Sequence, residues 1–306
     1  MIETDGLTKQ WGDLIAVNHL DLAVEQGECY SFLGRNGSGK STTARMLLDF
    51  IRPTSGTSRL LGGAGSDPAI RGRVGYLPGD LNLPRAMTGN DAFDFFGGLS
   101  GSADDPERTS LIDRFGLDPT RPVRELSTGN RRKVGLVLAF LGDPELLILD
   151  EPTSGLDPVL QEEFRTLLAE RKQRGVTIWL TSHVMAEVER VADRVGLIRD
   201  GRLARELAME DLRHQTTGRI RFEFADPVAP SAFDGIDGVT DVDANGADVT
   251  VSVEGPVAAL LRRAGDLGAV HIETQRRDLD DIFLELFDLR ATDDGAANGP
   301  ADEASA

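Results

Sequence analysis

The sequence predicts an α/β chain in two parts, a large domain built on a mainly parallel sheet and a small α+β domain behind it. Three observations carry this. The apolar run CYSFL (29–33) feeds directly into the glycine-rich loop GRNGSGKST (34–42), and STTARMLLDF then places Ala44, Leu47, Leu48 and Ile51 at helical spacing. A second apolar run, ELLILDEP from Glu145, ends in two adjacent acids, as a central parallel strand does when it delivers a carboxylate at its C-terminal end. From Gly218 the pattern changes to short alternating strands separated by Asp-Gly and Asn-Gly turns.

Bulk properties agree with that division. A chain of 306 residues has room for one large and one small domain, and 40% hydrophobic content supports real cores. Neither an apolar run of 18 residues nor a basic-then-apolar leader in MIETDGLTKQ is present, so the expectation is a cytoplasmic chain. The formal net charge of −18 opposes binding to nucleic acid, which needs clustered Lys and Arg, and opposes direct adsorption to or insertion into anionic lipid. If the chain works at a membrane, another protein must hold it there. The single cysteine, Cys29, lies in an apolar strand and reads as a buried thiol in a reducing compartment. Lysine occurs only at positions 9, 40, 133 and 172, so a lysine inside a glycine loop is informative.

Gly34, Gly39, Lys40 and Ser41 meet the pattern G-x-x-x-x-G-K-[ST] between a strand and a helix. In that setting the backbone N–H groups from Gly34 through Asn36, Gly37, Ser38 and Gly39 to Thr42, with the helix N-terminus, cradle an anion. Lys40 is then expected to reach the β- and γ-phosphates of a nucleotide, and the Ser41 hydroxyl to bind Mg²⁺. Asp150 is expected to hold the metal's water shell, and Glu151 to act as general base on the attacking water.

A second helix start follows at LSTGNRRKVGLVLAFLGDP, with Ser127 as N-cap and Gly129 behind it. Here the chain resembles the ATP-binding cassette (ABC) family, whose signature LSGGQ appears as LSTGN. SGLD (154–157) is similar to the family's D-loop, which marks Asp157, and TSHVMAEVE places His183 as its switch histidine. His19, His214 and His271 match nothing and are left structural. Trp11 in KQWGDLIAV aligns with the aromatic that stacks on adenine, the alternative being a buried core tryptophan.

The resemblance covers about residues 2–212. It implies a P-loop NTPase cassette over 1–215, with a RecA-like core, an antiparallel β subdomain and a helical subdomain at about 89–142. It also implies a homodimer in which ATP sits between the P-loop of one copy and the signature of the other. Thr128 and Asn130 depart from the family's usual Gly and Gln, a change the backbone N–H groups and Ser127 should tolerate. The position of the family's Q-loop glutamine is Gly79, followed by Asp80, which is either a metal contact through water or a solvent-exposed turn acid. Of Phe93, Phe95 and Phe96, the first and last are expected to share a helical face, as core or as the lining of a groove for a membrane subunit.

Residues 216–290 read as the α+β domain, resembling an extension found on ATPase subunits of drug-exporter-like ABC systems. Its last helix, LDDIFLELFDL, carries Leu279, Ile282, Phe283, Leu286 and Leu289, and 291–306 read as a disordered acidic tail. The expected function is that of the ATP-hydrolysing subunit of an exporter of a drug-like or lipid substrate. Such a subunit drives a separate permease from the inner face of the cell membrane. The alternatives are a soluble ABC ATPase acting in translation or on chromosomes, and an ATP-binding regulator that barely hydrolyses.

Overall fold

The computed structural model describes residues 1–102, 105–215, 218–253 and 255–276. Packing divides the chain into two compact units, Met1–Met209 and a second beginning at Glu210. The first opens with β1 (Ile2–Trp11), β2 (Leu14–Val24), β3 (Cys29–Leu33), α1 (Lys40–Leu47), β4 (Ser55–Leu60), α2 (Pro68–Arg71) and β5 (Val74–Leu77). It continues through α3 (Gly89–Ser100), α4 (Arg108–Arg114), α5 (Thr128–Phe140), β6 (Leu146–Asp150) and α6 (Pro158–Gln173). β7 (Thr177–Ser182), α7 (Met185–Val191), β8 (Arg194–Arg199) and β9 (Arg202–Ala208) complete it, and α8 (Met209–Gln215) leads out.

Two sheets organise this unit. One is three-stranded and antiparallel, in the order β2-β1-β4; the other has six strands in the order β5-β6-β7-β3-β8-β9, parallel except for β9 at its edge. Every residue of β3, β6 and β7 is buried, because apolar layers cover both faces of the parallel sheet. The period of two sorts their side chains cleanly. Leu147, Leu149, Ile178 and Leu180 join the helical side with Phe93, Val137, Phe140 and Phe164, whereas Tyr30, Phe32, Ile148 and Trp179 join Leu47 of α1 and Leu7 and Leu20 of the antiparallel sheet.

The helical region lies on α3, α4 and α5. α3 begins with a reciprocal cap, in which Thr88 Oγ1 accepts from the Asp91 backbone and the Asp91 carboxylate accepts from the Thr88 backbone. Phe93 is fully buried beneath it, but Phe95 and Phe96 are 55% and 39% exposed and pack edge to face with ring centroids 5.1 Å apart. Phe93 and Phe96, at i and i+3, share a side of α3, but only Phe93 belongs to the core. At 100° per residue the two stand about 60° apart, and Gly97 takes the buried position.

The second unit contains a four-stranded antiparallel sheet in the order β11-β12-β10-β13, formed by β10 (Gly218–Phe224), β11 (Val239–Asn245), β12 (Asp248–Val253) and β13 (Ala269–Arg276). α9 (Ala258–Asp266) contributes Leu260 and Ala264 to a core with Phe222, Phe233 and Val251. The pairing of Asn245 with Asp248 leaves Gly246-Ala247 as a two-residue loop whose first residue has φ 68°. The helix expected over 279–289 and the tail expected over 291–306 lie outside the described residues.

Candidate active site

The C-terminal ends of β3, β6 and β7 converge, where a parallel sheet places its ligand crevice. β3 runs into the glycine loop, and α1 starts at Lys40 with Gly39 as its cap. Gly39 has φ 109°, and a Cβ there would stand 2.5 Å from the Ala16 carbonyl oxygen, so only glycine fits. Asn36 and Gly37 are exposed at the loop tip, and Ser38, Gly39 and Lys40 are buried at its base. Ser38 Oγ is buried without a hydrogen-bond partner, as befits a group aimed at a ligand. Ser41 and Thr42 are half-buried in the first turn of α1.

Lys40 is 5% exposed. Its Nζ donates to the carbonyls of Gly34 (2.6 Å) and Arg35 (3.3 Å) and lies 3.2 Å from Glu151 Oε1. The other Glu151 oxygen, Oε2, lies 2.7 Å from His183 Nδ1. Glu151 holds φ 50°, unusual for a residue with a Cβ; its N–H donates to Thr181 Oγ1 at 3.0 Å, whose own hydroxyl donates to Asp150 Oδ1 at 2.6 Å. Thr181, at the end of β7, thus fixes both acids, a role that sequence reasoning missed because a threonine in VTIWLT reads as one more β-branched strand residue.

Two of the three candidate metal ligands, Ser41 and Asp150, converge beside Gly79. A Cβ built there would lie 2.9 Å from Asp150 Oδ2 and 3.9 Å from Ser41 Oγ, so the carboxylate and the hydroxyl face one small space. Among the described residues no cluster of three or more His, Cys, Asp or Glu forms a metal cage. One carboxylate and one hydroxyl suit Mg²⁺, a hard cation that keeps waters and takes its remaining oxygens from phosphate. Asp80 is exposed on the next turn position, in electrostatic reach of Arg132.

The signature residues form the start of α5. Ser127 caps α5 by accepting from the Asn130 N–H at 3.2 Å and is exposed, and among the described residues no hydrogen bond or ion pair joins it to residues 34–42. Gly129 packs so closely that a Cβ would meet the Gly155 carbonyl at 2.8 Å. Asp157 is engaged as the cap of α6, its Oδ1 accepting from Val159 and Leu160 at 3.0 Å each. Trp11 is 52% exposed, not a core residue, and Lys9 Nζ sits 4.1 Å from its ring centroid.

A second residue without a sequence signal is Arg132 in α5, 5% exposed. Burial lowers its pKa from the ordinary guanidinium value, while the charges of Asp150, Glu151 and Asp80 oppose that shift. Its partners are backbone carbonyls, which leave no trace in residue identity.

The family described as ABC transporter matches residues 17–154. A bacitracin transport ATP-binding protein of Bacillus licheniformis is 35% identical over 231 residues, covering 74% of this chain and 76% of its own. A Nod factor export ATP-binding protein of Burkholderia lata is 35% identical over 299 residues, covering 93% and 96%. Among solved structures, a dimeric ATP-binding cassette in a post-hydrolysis state with ADP and Pi shares the fold, with a TM-score of 0.60 and 21% identity over 68% of this chain and 99% of that one. Sequence likeness along nearly the whole chain, joined to a glycine loop and acids gathered at one sheet edge, establishes that the protein belongs to the ABC transporter family as one of its ATP-binding, ATP-hydrolysing subunits.

Proposed function

We propose that the chain drives an exporter as a homodimer, each ATP lying between the glycine loop of one copy and the Ser127 helix end of the other. The observation that carries this reading is that, among the described residues, no hydrogen bond or ion pair joins the two anion-seeking helix ends within one chain. The start of α1 is buried around Lys40, whereas Ser127 is exposed at the start of α5. A second copy can bring that exposed end, with Gly129 and the neighbouring Asp157, to the phosphates.

Within each site the residues divide the work. Trp11 stacks on adenine, and the loop N–H groups and Lys40 bind and orient the phosphates. Ser41 and Asp150 would hold Mg²⁺, with Asp80 as a water-mediated contact, and such an ion would supply charge neutralisation at the phosphate oxygens. Glu151 accepts the proton of the attacking water, and His183 holds its carboxylate by the 2.7 Å contact to Oε2.

ATP binding closes the dimer, hydrolysis reopens it, and a separate membrane permease converts the motion into transport. Among the described residues no helix is long and apolar enough to cross a membrane. The chain would therefore work at the inner face of the membrane through that permease, and exposed Phe95, Phe96 and Leu99 on α3 offer it an apolar surface. Relatives named for bacitracin transport and Nod factor export favour a drug-like or lipid-like cargo. Its charge of −18 argues against nucleic acid and direct lipid insertion.

Light scattering on Glu151→Gln with saturating Mg²⁺ and ATP tests the arrangement. A stable dimer that returns to monomers when nucleotide is removed is the expected result. Strictly monomeric Glu151→Gln at saturation would overturn the shared site.

A further inference from the structure

Arg132 sits in the second turn of α5, and all its N–H groups are spent on carbonyl oxygens. Nε donates to Pro152 at 3.5 Å, one terminal nitrogen to Pro78 at 2.6 Å and Gly79 at 3.0 Å, and the other to Asp150 and Glu151. A guanidinium has five donors in a fixed plane, and here each meets one backbone acceptor. The acceptors belong to two segments, the turn that carries both acids and the loop at Gly79. That loop approaches Asp150 so closely that a Cβ on Gly79 would stand 2.9 Å from Oδ2. Glu151 also holds a left-handed backbone conformation that its surroundings must impose.

We propose that Arg132 is a positioning residue for hydrolysis, a clamp that holds the Asp150-Glu151 turn and the Gly79 loop as one rigid unit anchored to α5. Since α5 also presents Ser127 at its N-terminus, one rigid helix links the end offered to the partner's nucleotide with the acids of its own site. Position is transmitted through backbone carbonyls, so no side chain at residue 79 is needed, and a Cβ there would crowd Asp150 Oδ2. The proposal rests on Asp150 and Glu151 being the acids of hydrolysis.

Arg132→Lys tests it, because the ammonium keeps the charge but has three donors for five acceptors. The expected result is a fall in kcat for ATP hydrolysis of up to about 100-fold, the scale of a misplaced catalytic group, with affinity for a fluorescent ATP analogue changed less than about threefold. Gly79→Ala should lower kcat in the same way, and the double variant should lose no more than the worse single one, since both act through one turn. Wild-type kcat in Arg132→Lys, or fully additive losses in the double variant, would overturn the proposal. If Arg132→Lys fails to fold, Arg132→Gln, which keeps two of the five donors, decides in its place, wild-type kcat refuting the clamp and a kcat loss at constant affinity supporting it. Glu151→Gln serves as the separate control: if it hydrolyses ATP normally, the assignment of the acids fails rather than the clamp.

Discussion

Lys40 Nζ lies 3.2 Å from Glu151 Oε1, an ion pair that ties the glycine loop to the turn after β6. Lys40 has two further acceptors in Gly34 and Arg35, so its three donors are already engaged. A phosphate group must compete with the Glu151 carboxylate for it. Glu151→Gln should therefore tighten ATP binding by about 1 kcal/mol, roughly fivefold, in titration calorimetry while hydrolysis collapses. Lys40→Ala should weaken binding by about 2–3 kcal/mol, the worth of a charge-assisted hydrogen bond. Equal ATP affinity in all three proteins would show that Lys40 does not meet the phosphates.

The 2.7 Å contact between His183 Nδ1 and Glu151 Oε2 makes a separate claim, about chemistry rather than binding. His183→Ala should lower kcat by about 100-fold, within the range for an oriented acid–base group, and leave nucleotide affinity nearly unchanged. A kcat within a factor of about two of the parent would reduce His183 to an exposed neighbour of Glu151.

Trp11 and Trp179 are the two tryptophans of the chain, and they differ completely in exposure. Trp179 is fully buried and Trp11 is 52% exposed, so a change in tryptophan emission on adding ATP reports on Trp11. Stacking on adenine should quench it, and Trp11→Ala should weaken binding by about 1–2 kcal/mol, with Trp11→Tyr recovering most of the loss. Native affinity in Trp11→Ala would leave the exposed ring as a partner for Lys9 alone.

How much of this could be read from the amino acids follows from which atoms do the work. The glycine loop was legible because close backbone approach admits only glycine at Gly39, and Asp150 and Glu151 because they are adjacent in the chain and end an apolar strand. The parallel sheet was legible in its continuous apolar runs, whose burial on both faces left no polar alternation to confuse them. Arg132 was not legible, since its five partners are main-chain carbonyls spread over residues 78–152. Nor was the cap made by Asp157: an Asp before Pro158 serves equally well as a ligand-facing acid, and only the 3.0 Å contacts to Val159 and Leu160 show where one of its oxygens is spent. The exposure of Phe96 was not legible either, since it shares a side of α3 with Phe93 but stands about 60° from it, and the small Gly97 takes the inner position.

Cys29, 1% exposed at the start of β3, gives a probe of the core beneath the site. Burial pushes its thiol up to about 12, with the Asp193 carboxylate adding to the shift and Lys172 opposing it. The folded chain therefore keeps this thiol neutral at a pH where the unfolded chain, with an ordinary thiol near 9, has lost the proton. Its contribution to stability is fully present below pH 9 and is lost as pH rises from 9 toward 12, at no more than about 1.4 kcal/mol per pH unit. Urea midpoints measured across that window should fall more steeply for the parent than for Cys29→Ala, the difference isolating this group from other alkaline titrations. At pH 8 a thiol reagent such as dithiobis-nitrobenzoate should leave the native protein unlabelled and react at once in urea. Rapid native labelling would mean that β3, and with it the base of the glycine loop, opens far more often than a strand buried at every residue should allow.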